Sequence, residues 1–364
     1  MSVEHKRALL LSVGYGEGHN AAARALLQEL TGRGWTASVA DPCQLSHPWL
    51  FALTQRFYHL CVRRAPWLWG VTYAQTDTAD WRARAYSPFI KGVTQLVAEL
   101  VQQEQPDVVV CTYPLYAHLL DALREVGKVK VPYAVVVTDA LEISRPWLVN
   151  NSPRIFMTDE YSAQRVLERY AMAPERCVVS GFPVRREFSP HCKREIPTPQ
   201  NLKLVYGAYA PLAQVRADLS ALVKNYPAAR ITVLAGERRR ELADFQSDCV
   251  DVLEYTSEMS ALFAEAHFYI GKAGAATVFE AYASHLPVIV NYALPGQEQG
   301  NLELLLLDGA GVSVASTAEL LTRLDALLED GAAGWLRLHK AMCNLKRSGG
   351  AVCVADHLET MISV

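Results

Sequence analysis

What the 364-residue sequence lacks narrows its class before any motif is considered. No run approaches the roughly 18–20 apolar residues that a membrane-spanning helix needs, so membrane contact is expected to be peripheral. The formal net charge is only -3. That balance gives no global attraction to nucleic acid, which is not expected as a partner, and leaves anionic lipid to be met by a local basic patch. The eight cysteines form no Cys-x-x-Cys pair, and several sit in apolar runs such as Val108-Val-Val-Cys111. They are expected to be reduced, buried thiols of a cytosolic protein, not a disulfide framework or a zinc site. There is no Asp-x-Asp element, and no obligatory metal or cofactor is expected. Lys6-Arg7 before Ala8–Val13 imitates the start of a signal peptide, but the run ends in Gly14-Tyr-Gly-Glu-Gly-His19 without a small-residue cleavage site.

What is present has globular proportions, 51% hydrophobic and 20% charged, and the length suits about two domains. Short β-branched runs at Ala8–Val13, Thr36–Ala40, Val108–Cys111 and Tyr133–Val137 alternate with amphipathic segments such as Ala21–Leu30 and Val93–Gln102. Strands without polar alternation are buried on both faces, which implies a parallel sheet flanked by helices. The second half repeats the scheme, with strands at Leu202–Tyr206, Arg230–Leu234, Phe268–Ile270 and Val288–Val290 and helices at Ala276–Ser284 and Thr317–Glu329. Ser316 and Glu319 fit a capping box for the last helix. Between the halves, Ser189–Gln200 is polar and proline-rich, which makes it a linker. The expectation is an α/β chain of two doubly wound, Rossmann-like domains, 1–188 and 201–364, facing a cleft, with an option for the final helix to pack back on the first. Ligands bind at the carboxyl ends of the strands in such folds.

Two strand–glycine–helix junctions carry the candidate chemistry. In the first, Gly14, Gly16 and Gly18 are expected to turn the chain tightly into a helix whose N-terminus offers N–H groups to an anion, with His19 at the turn. Neither the P-loop nor the dinucleotide pattern fits, and a purely structural turn is an equal alternative. In the second, Ile270-Gly-Lys-Ala-Gly-Ala-Ala-Thr-Val-Phe-Glu280, Gly271 and Gly274 allow close backbone approach. Thr277 suits phosphate oxygens and Glu280 suits ribose hydroxyls, against the plain alternative of a helix-capping glutamate. The loop Ala293-Leu-Pro-Gly-Gln-Glu-Gln-Gly-Asn301 adds Gln297, Glu298, Gln299 and Asn301, groups that both donate to and accept from a polyhydroxylated ligand. Upstream, Trp49–Val62 is rich in bulky apolar residues, among them Tyr58, and is followed by Arg63, Arg64, Trp67, Trp69 and Tyr73. Such a segment is either a core helix with its connection or an interfacial element, with rings at headgroup level and guanidinium on lipid phosphate.

Lys272-Ala-Gly274, Glu280-Ala, Leu286-Pro-Val-Ile and Pro295-Gly-Gln-Glu-Gln-Gly-Asn301 together resemble the donor-site signature of the monogalactosyldiacylglycerol synthase and processive diacylglycerol glucosyltransferase family, related to the transferase that makes lipid II. Gly16-Glu-Gly-His19, Val136-Val-Thr-Asp139 with Trp147, Val179–Phe188 and Leu234-Ala-Gly236 are similar to further family blocks in the same order. The resemblance covers essentially the whole chain. It implies a GT-B architecture and an inverting transfer of a hexose from a UDP-sugar, as co-substrate, to a lipid acceptor such as diacylglycerol or a glycosyl-diacylglycerol, at the inner face of the membrane. It places His19 first as base or acceptor-positioning residue and Asp139 second, with a phosphate contact as the other role for His19. Gly274, Ala275, Ala276 and Thr277 would serve the diphosphate and Glu280 the ribose, with Gly18, Gly207, Lys272, Pro295 and Gly296 also in the donor site. Tyr255, Thr256 and Met259 would lie against the nucleobase, and Gln297, Glu298 and Asn301 would hold the hexose. Tyr58, Arg63, Arg64, Trp67, Trp69, Tyr73 and Trp147 fall to the acceptor and an anionic membrane surface. Three departures stand out: Ser144 where the family has histidine, a glycine turn reduced to Gly207-Ala-Tyr-Ala210, and Glu237 after Gly236. The reduced Gly207 turn and Ser144 keep open a non-catalytic nucleotide-sugar or lipid-binding homologue, and the same architecture a UDP-sugar 2-epimerase-like enzyme.

Overall fold

The computed structural model describes residues 5–14, 16–64, 90–188, 190, 194–294, 296, 298–345, 347 and 349–362, with the backbone alone for 58–64. The chain divides into two compact units, one of Met1–Arg186, Pro295–Gly300 and Arg347–Val364, the other of Glu187–Leu294 and Asn301–Lys346.

In the first unit β1 (Arg7–Leu11), β2 (Thr36–Ala40), β3 (Val108–Cys111), β4 (Tyr133–Val136), β5 (Ile155–Met157) and β6 (Cys177–Val179) form one sheet in the order β2-β1-β3-β4-β5-β6. Every pairing is parallel. All residues of β3 and β4 are buried, which is why these strands show no alternation in the sequence. Around the sheet lie α1 (Glu17–Gly32), α2 (Pro42–Ser46), α3 (Pro48–Arg64), α4 (Lys91–Glu104), α5 (Pro114–Glu125), α6 (Glu160–Arg169) and, at the end of the chain, α12 (Gly350–Ile362). Proline at the first turn starts α5, and the Asp159 carboxylate starts α6 by accepting from the Ser162 amide at 2.8 Å. Ala25, Leu26 and Leu30 of α1 share a core with Ala351, Val354, Ala355 and Leu358 of α12. The strand order reverses between β1 and β3, and that switch point is where such a sheet opens a crevice at its carboxyl edge.

In the second unit β7 (Lys203–Gly207), β8 (Arg230–Leu234), β9 (Val250–Leu253), β10 (Phe268–Lys272), β11 (Val288–Tyr292) and β12 (Gly311–Ser313) make a second all-parallel sheet, ordered β12-β11-β10-β7-β8-β9. Its switch point lies between β7 and β10. The helices are α7 (Leu212–Asn225), α8 (Met259–Glu265), α9 (Ala275–Ala283), α10 (Gln299–Leu307) and α11 (Thr317–Asn344). Ser316 caps α11 by accepting from the Glu319 amide, and α11 breaks at Glu329–Ala332, where Asp330, Gly331 and Ala332 turn left-handed. The expected end at Glu329 is that break. Under the sheet edge, Asp218 of α7 accepts from Tyr206, Asn291 and Thr317, tying β7, β11 and the start of α11 together. Arg194, from the stretch expected as a linker, donates to the carbonyls of Ala264, Ala266 and Ser284 at 2.6–2.8 Å. It thereby satisfies carbonyls at the ends of α8 and α9.

Candidate active site

At the switch point of the first sheet, the chain leaves β1 through Ser12 and Gly14 and enters α1 at Gly16. Neither Gly14 nor Gly16 nor Gly18 takes a positive φ. What Gly14 contributes is space: its amide donates to Asp41 at 2.9 Å, its carbonyl accepts from Gln55 at 2.6 Å, and a Cβ there would press on the Gln55 amide at 3.2 Å. The turn delivers His19 as the third residue of α1. Its Nδ1 lies 2.9 Å from the Thr138 hydroxyl beyond the end of β4, and its ring packs edge-on to Tyr113 at 5.2 Å and against Trp147 at 5.9 Å. Burial pushes the imidazole down to about 4, only partly opposed by a main-chain hydrogen bond at Thr112.

Asp139, next to Thr138, is 8% exposed. Its Oδ2 accepts from the Trp147 indole Nε1 at 2.8 Å. Burial raises this carboxyl to about 6, and the indole hydrogen bond pulls the other way. The ordinary ranking of the two groups is thereby inverted. Near neutrality His19 is an uncharged ring and Asp139 is a carboxylate with the proton affinity of an ordinary histidine. Trp147, expected on the acceptor or membrane side, is 1% exposed and has no face for a bilayer. Ser144 opens the 3-10 turn Arg145–Trp147, its carbonyl accepting from the Trp147 amide at 3.1 Å.

The second switch point gathers most of the candidate donor residues. Gly207 ends β7 against Tyr269, whose hydroxyl would lie 2.5 Å from a Cβ at that position, so a side chain there would force the buried Tyr269 to shift. The reduced turn after it is held by Arg238, which donates to the carbonyls of Ala208 and Ala210, and it raises Tyr209 to a half-exposed position. Lys272, leaving β10, sets its ammonium 4.9 Å from the centre of that ring. Gly274 is the N-cap of α9 and brings no side chain to the free amides of Ala275, Ala276 and Thr277. Glu280 is buried one and a half turns further on. The Asn301 amide donates to the Ala273 carbonyl at 3.0 Å, and its buried Oδ1 has no hydrogen-bond partner among the described residues. Tyr255, beyond the edge strand β9, is 90% exposed; Thr256 accepts from the Glu258 amide, and Met259 opens α8. Gly296 has φ +83, a conformation that reserves its place for glycine, and Glu298 is buried. Pro295, Gln297, Trp67, Trp69, Tyr73 and the side chains of Tyr58, Arg63 and Arg64 lie outside the described residues. Thr138, Tyr113 and Tyr209 were not singled out by the sequence. Thr138 was within reach, since it directly precedes Asp139; the other two carry no signal of their own.

Comparison with known proteins fits this pair of sites. Residues 19–184 match the family model described as monogalactosyldiacylglycerol (MGDG) synthase, and residues 207–346 match the glycosyltransferase family 28 C-terminal domain. Between them the two models take in most of this chain. It is a glycosyltransferase. Among its relatives is a processive diacylglycerol beta-glucosyltransferase of Bacillus subtilis, 26% identical over 94% of this chain and 91% of that one. Another, of the same name, from Bacillus cytotoxicus is 28% identical over 97% and 93%. Among solved structures, MurG of Acinetobacter baumannii has a TM-score of 0.63 at 17% identity, covering 98% of this chain and 100% of that one. Spinosyn rhamnosyltransferase SpnG complexed with thymidine diphosphate also scores 0.63, at 14% identity over 97% and 99%. These likenesses show the GT-B fold. Among the described residues of this glycosyltransferase, no helix is long and apolar enough to cross a membrane and no group of acidic, histidine or cysteine side chains could hold a metal ion.

Proposed function

We propose that this glycosyltransferase moves a hexose from a UDP-sugar to a lipid hydroxyl, of a diacylglycerol or a glycosyl-diacylglycerol, at the inner face of a membrane. The reading is carried by one observation: the buried Asp139 carboxylate and the His19 ring meet the same buried indole, Trp147, in the first unit, with His19 also bonded to Thr138, the residue before Asp139. An inverting transfer needs a base that takes the acceptor proton as the hydroxyl attacks the anomeric carbon and the nucleoside diphosphate leaves. Asp139, held near 6, has the proton affinity for that work at neutral pH. His19, held near 4, stays neutral and orients the acceptor by hydrogen bonding. This reverses the order in which the sequence ranked the two. On the donor side, the free amides after Gly274 suit the diphosphate, Glu280 the ribose, and the unsatisfied Oδ1 of Asn301 a sugar hydroxyl.

The membrane part of the proposal rests on α3. Trp49, Leu53 and Phe57 recur every fourth residue, on one face of that helix, and are 72, 58 and 51% exposed. Leu45 of α2 and Arg56 are also exposed, and Arg63 and Arg64 follow in the sequence. An unpacked apolar stripe edged by arginines has the composition of an interfacial helix. The test is co-sedimentation with liposomes of phosphatidylcholine and phosphatidylglycerol at low salt. The parent is expected in the pellet, and the triple substitution Trp49→Ser, Leu53→Ser and Phe57→Ser in the supernatant. A parent that stays in the supernatant removes the membrane from the proposal.

A further inference from the structure

The side chain that touches both reacting-site candidates is neither of them. Trp147 sits in a 3-10 turn clamped on each side: His118 Nε2 lies 2.9 Å from the Pro146 carbonyl, and the Asn150 amide donates to the Trp147 carbonyl at 2.8 Å. With its backbone fixed, the ring has little freedom to move. A buried indole N–H needs an acceptor, and the one it meets is Asp139 Oδ2 at 2.8 Å. The same ring lies 5.9 Å from the His19 ring at a tilt of 42°. A tryptophan committed to packing alone would be satisfied by a main-chain carbonyl, as Trp335 is by that of His267. Trp147 instead spends its single polar atom on a desolvated carboxylate.

We propose that Trp147 is a positioning residue of the transfer site: its indole N–H fixes the orientation of the Asp139 carboxylate while its ring sets the place of His19. The proposal rests on the reading that Asp139 takes the acceptor proton. By occupying Oδ2, the indole leaves Oδ1 as the oxygen to take the acceptor proton. A hydrogen bond to the ionised form also holds the carboxyl's proton affinity down against the burial that raises it. Among the described residues, ionisable groups near Asp139 include His19 across the Trp147 ring, Asp159 across the Thr158 hydroxyl, and His118 behind Pro146. The resemblance places Trp147 with the acceptor or membrane surface, and its burial at 1% exposure turns it inward instead.

The experiment compares the parent with Trp147→Phe, which keeps a ring and removes the N–H. Carbon-13 detection of aspartate carboxyl groups, with Asp139→Asn identifying the signal, follows Asp139 directly. The titration midpoint is expected to rise by about one pH unit in Trp147→Phe, and the acid limb of kcat/KM to rise with it, while donor KM stays within about twofold. A midpoint that does not move overturns the proposal and leaves the base assignment standing. A midpoint that moves while the rate limb stays in place takes Asp139 out of proton transfer, and the positioning role falls with it. Should Trp147→Phe not fold, the parent supplies the answer: one of its seven indole N–H signals, the one perturbed in Asp139→Asn, must titrate with the Asp139 midpoint. Independent titration overturns the proposal.

Discussion

Replacing Asp139 by Asn should make the protein more stable while disabling it. Burial raises the carboxyl from 3.8 to about 6, a difference of about 2 pH units, or about 3 kcal/mol at about 1.4 kcal/mol per unit. Between these values the folded chain binds a proton that the unfolded chain has released, so stability from this group falls as pH rises from about 4 to about 6. Above that window the full cost is present. Asparagine has nearly the same shape, carries no charge, and can still accept from the Trp147 indole through Oδ1. Its amide group must find a new partner, which lowers the expected gain to about 1–3 kcal/mol at pH 7. The assay is urea unfolding of parent and variant from pH 4 to pH 8. The variant's stability relative to the parent should grow by about 2–3 kcal/mol between pH 4 and pH 7, with about half of that change by pH 5 and none above about pH 6.5. A variant less stable than the parent at pH 7, or a difference independent of pH, would refute the account of Asp139 as a desolvated carboxylate.

Three further outcomes are expected. Glu280→Ala should weaken UDP-sugar binding by about ten- to a hundredfold without unfolding the chain, as calorimetry would show, because a carboxylate that accepts from hydroxyls contributes about 1.5–3 kcal/mol. His19→Asn should lower turnover by at least tenfold with donor affinity unchanged; a parallel loss of donor affinity in the same assay would move His19 to the diphosphate. Arg194→Ala should destabilise the second unit by about 2–4 kcal/mol, measured by urea unfolding, since it removes three carbonyl contacts at the ends of α8 and α9; added salt should not mask the loss, because the contacts are short and partly buried.

Strands buried on both faces were legible because such burial leaves an unbroken apolar run, as in β3 and β4. β2, β3 and β8 fall on the residues expected, and β1, β4, β7, β10 and β11 within two residues of them. β5, β6 and β12 are three residues long, and Cys177-Val-Val179 and Gly311-Val-Ser313 are too short for any period to show. The edge strand β9 hides for another reason: Asp251 faces solvent inside Val250-Asp-Val-Leu253, so the run looks like a loop. Among site residues, His19 and Asp139 could be named from their glycine turn and their block, with His19 placed first. Their order depends on desolvation, and that is a property of Tyr113, Thr138 and Trp147 packed around them from distant parts of the chain. The second junction was more readable because its ligand-facing groups are backbone amides, and a strand–glycine–helix sequence specifies those by itself.

The most direct test of lipid glycosylation is a screen of UDP-glucose, UDP-galactose and UDP-N-acetylglucosamine against liposomes containing diacylglycerol or glycosyl-diacylglycerol, read by mass spectrometry of both lipid and nucleotide. The account predicts a lipid heavier by one sugar residue, formed together with an equal amount of UDP, and lost in Asp139→Asn. Donor consumed with no sugar on any lipid, whether it appears as an epimer or as free sugar, or donor bound and returned unchanged across the whole panel, would contradict it.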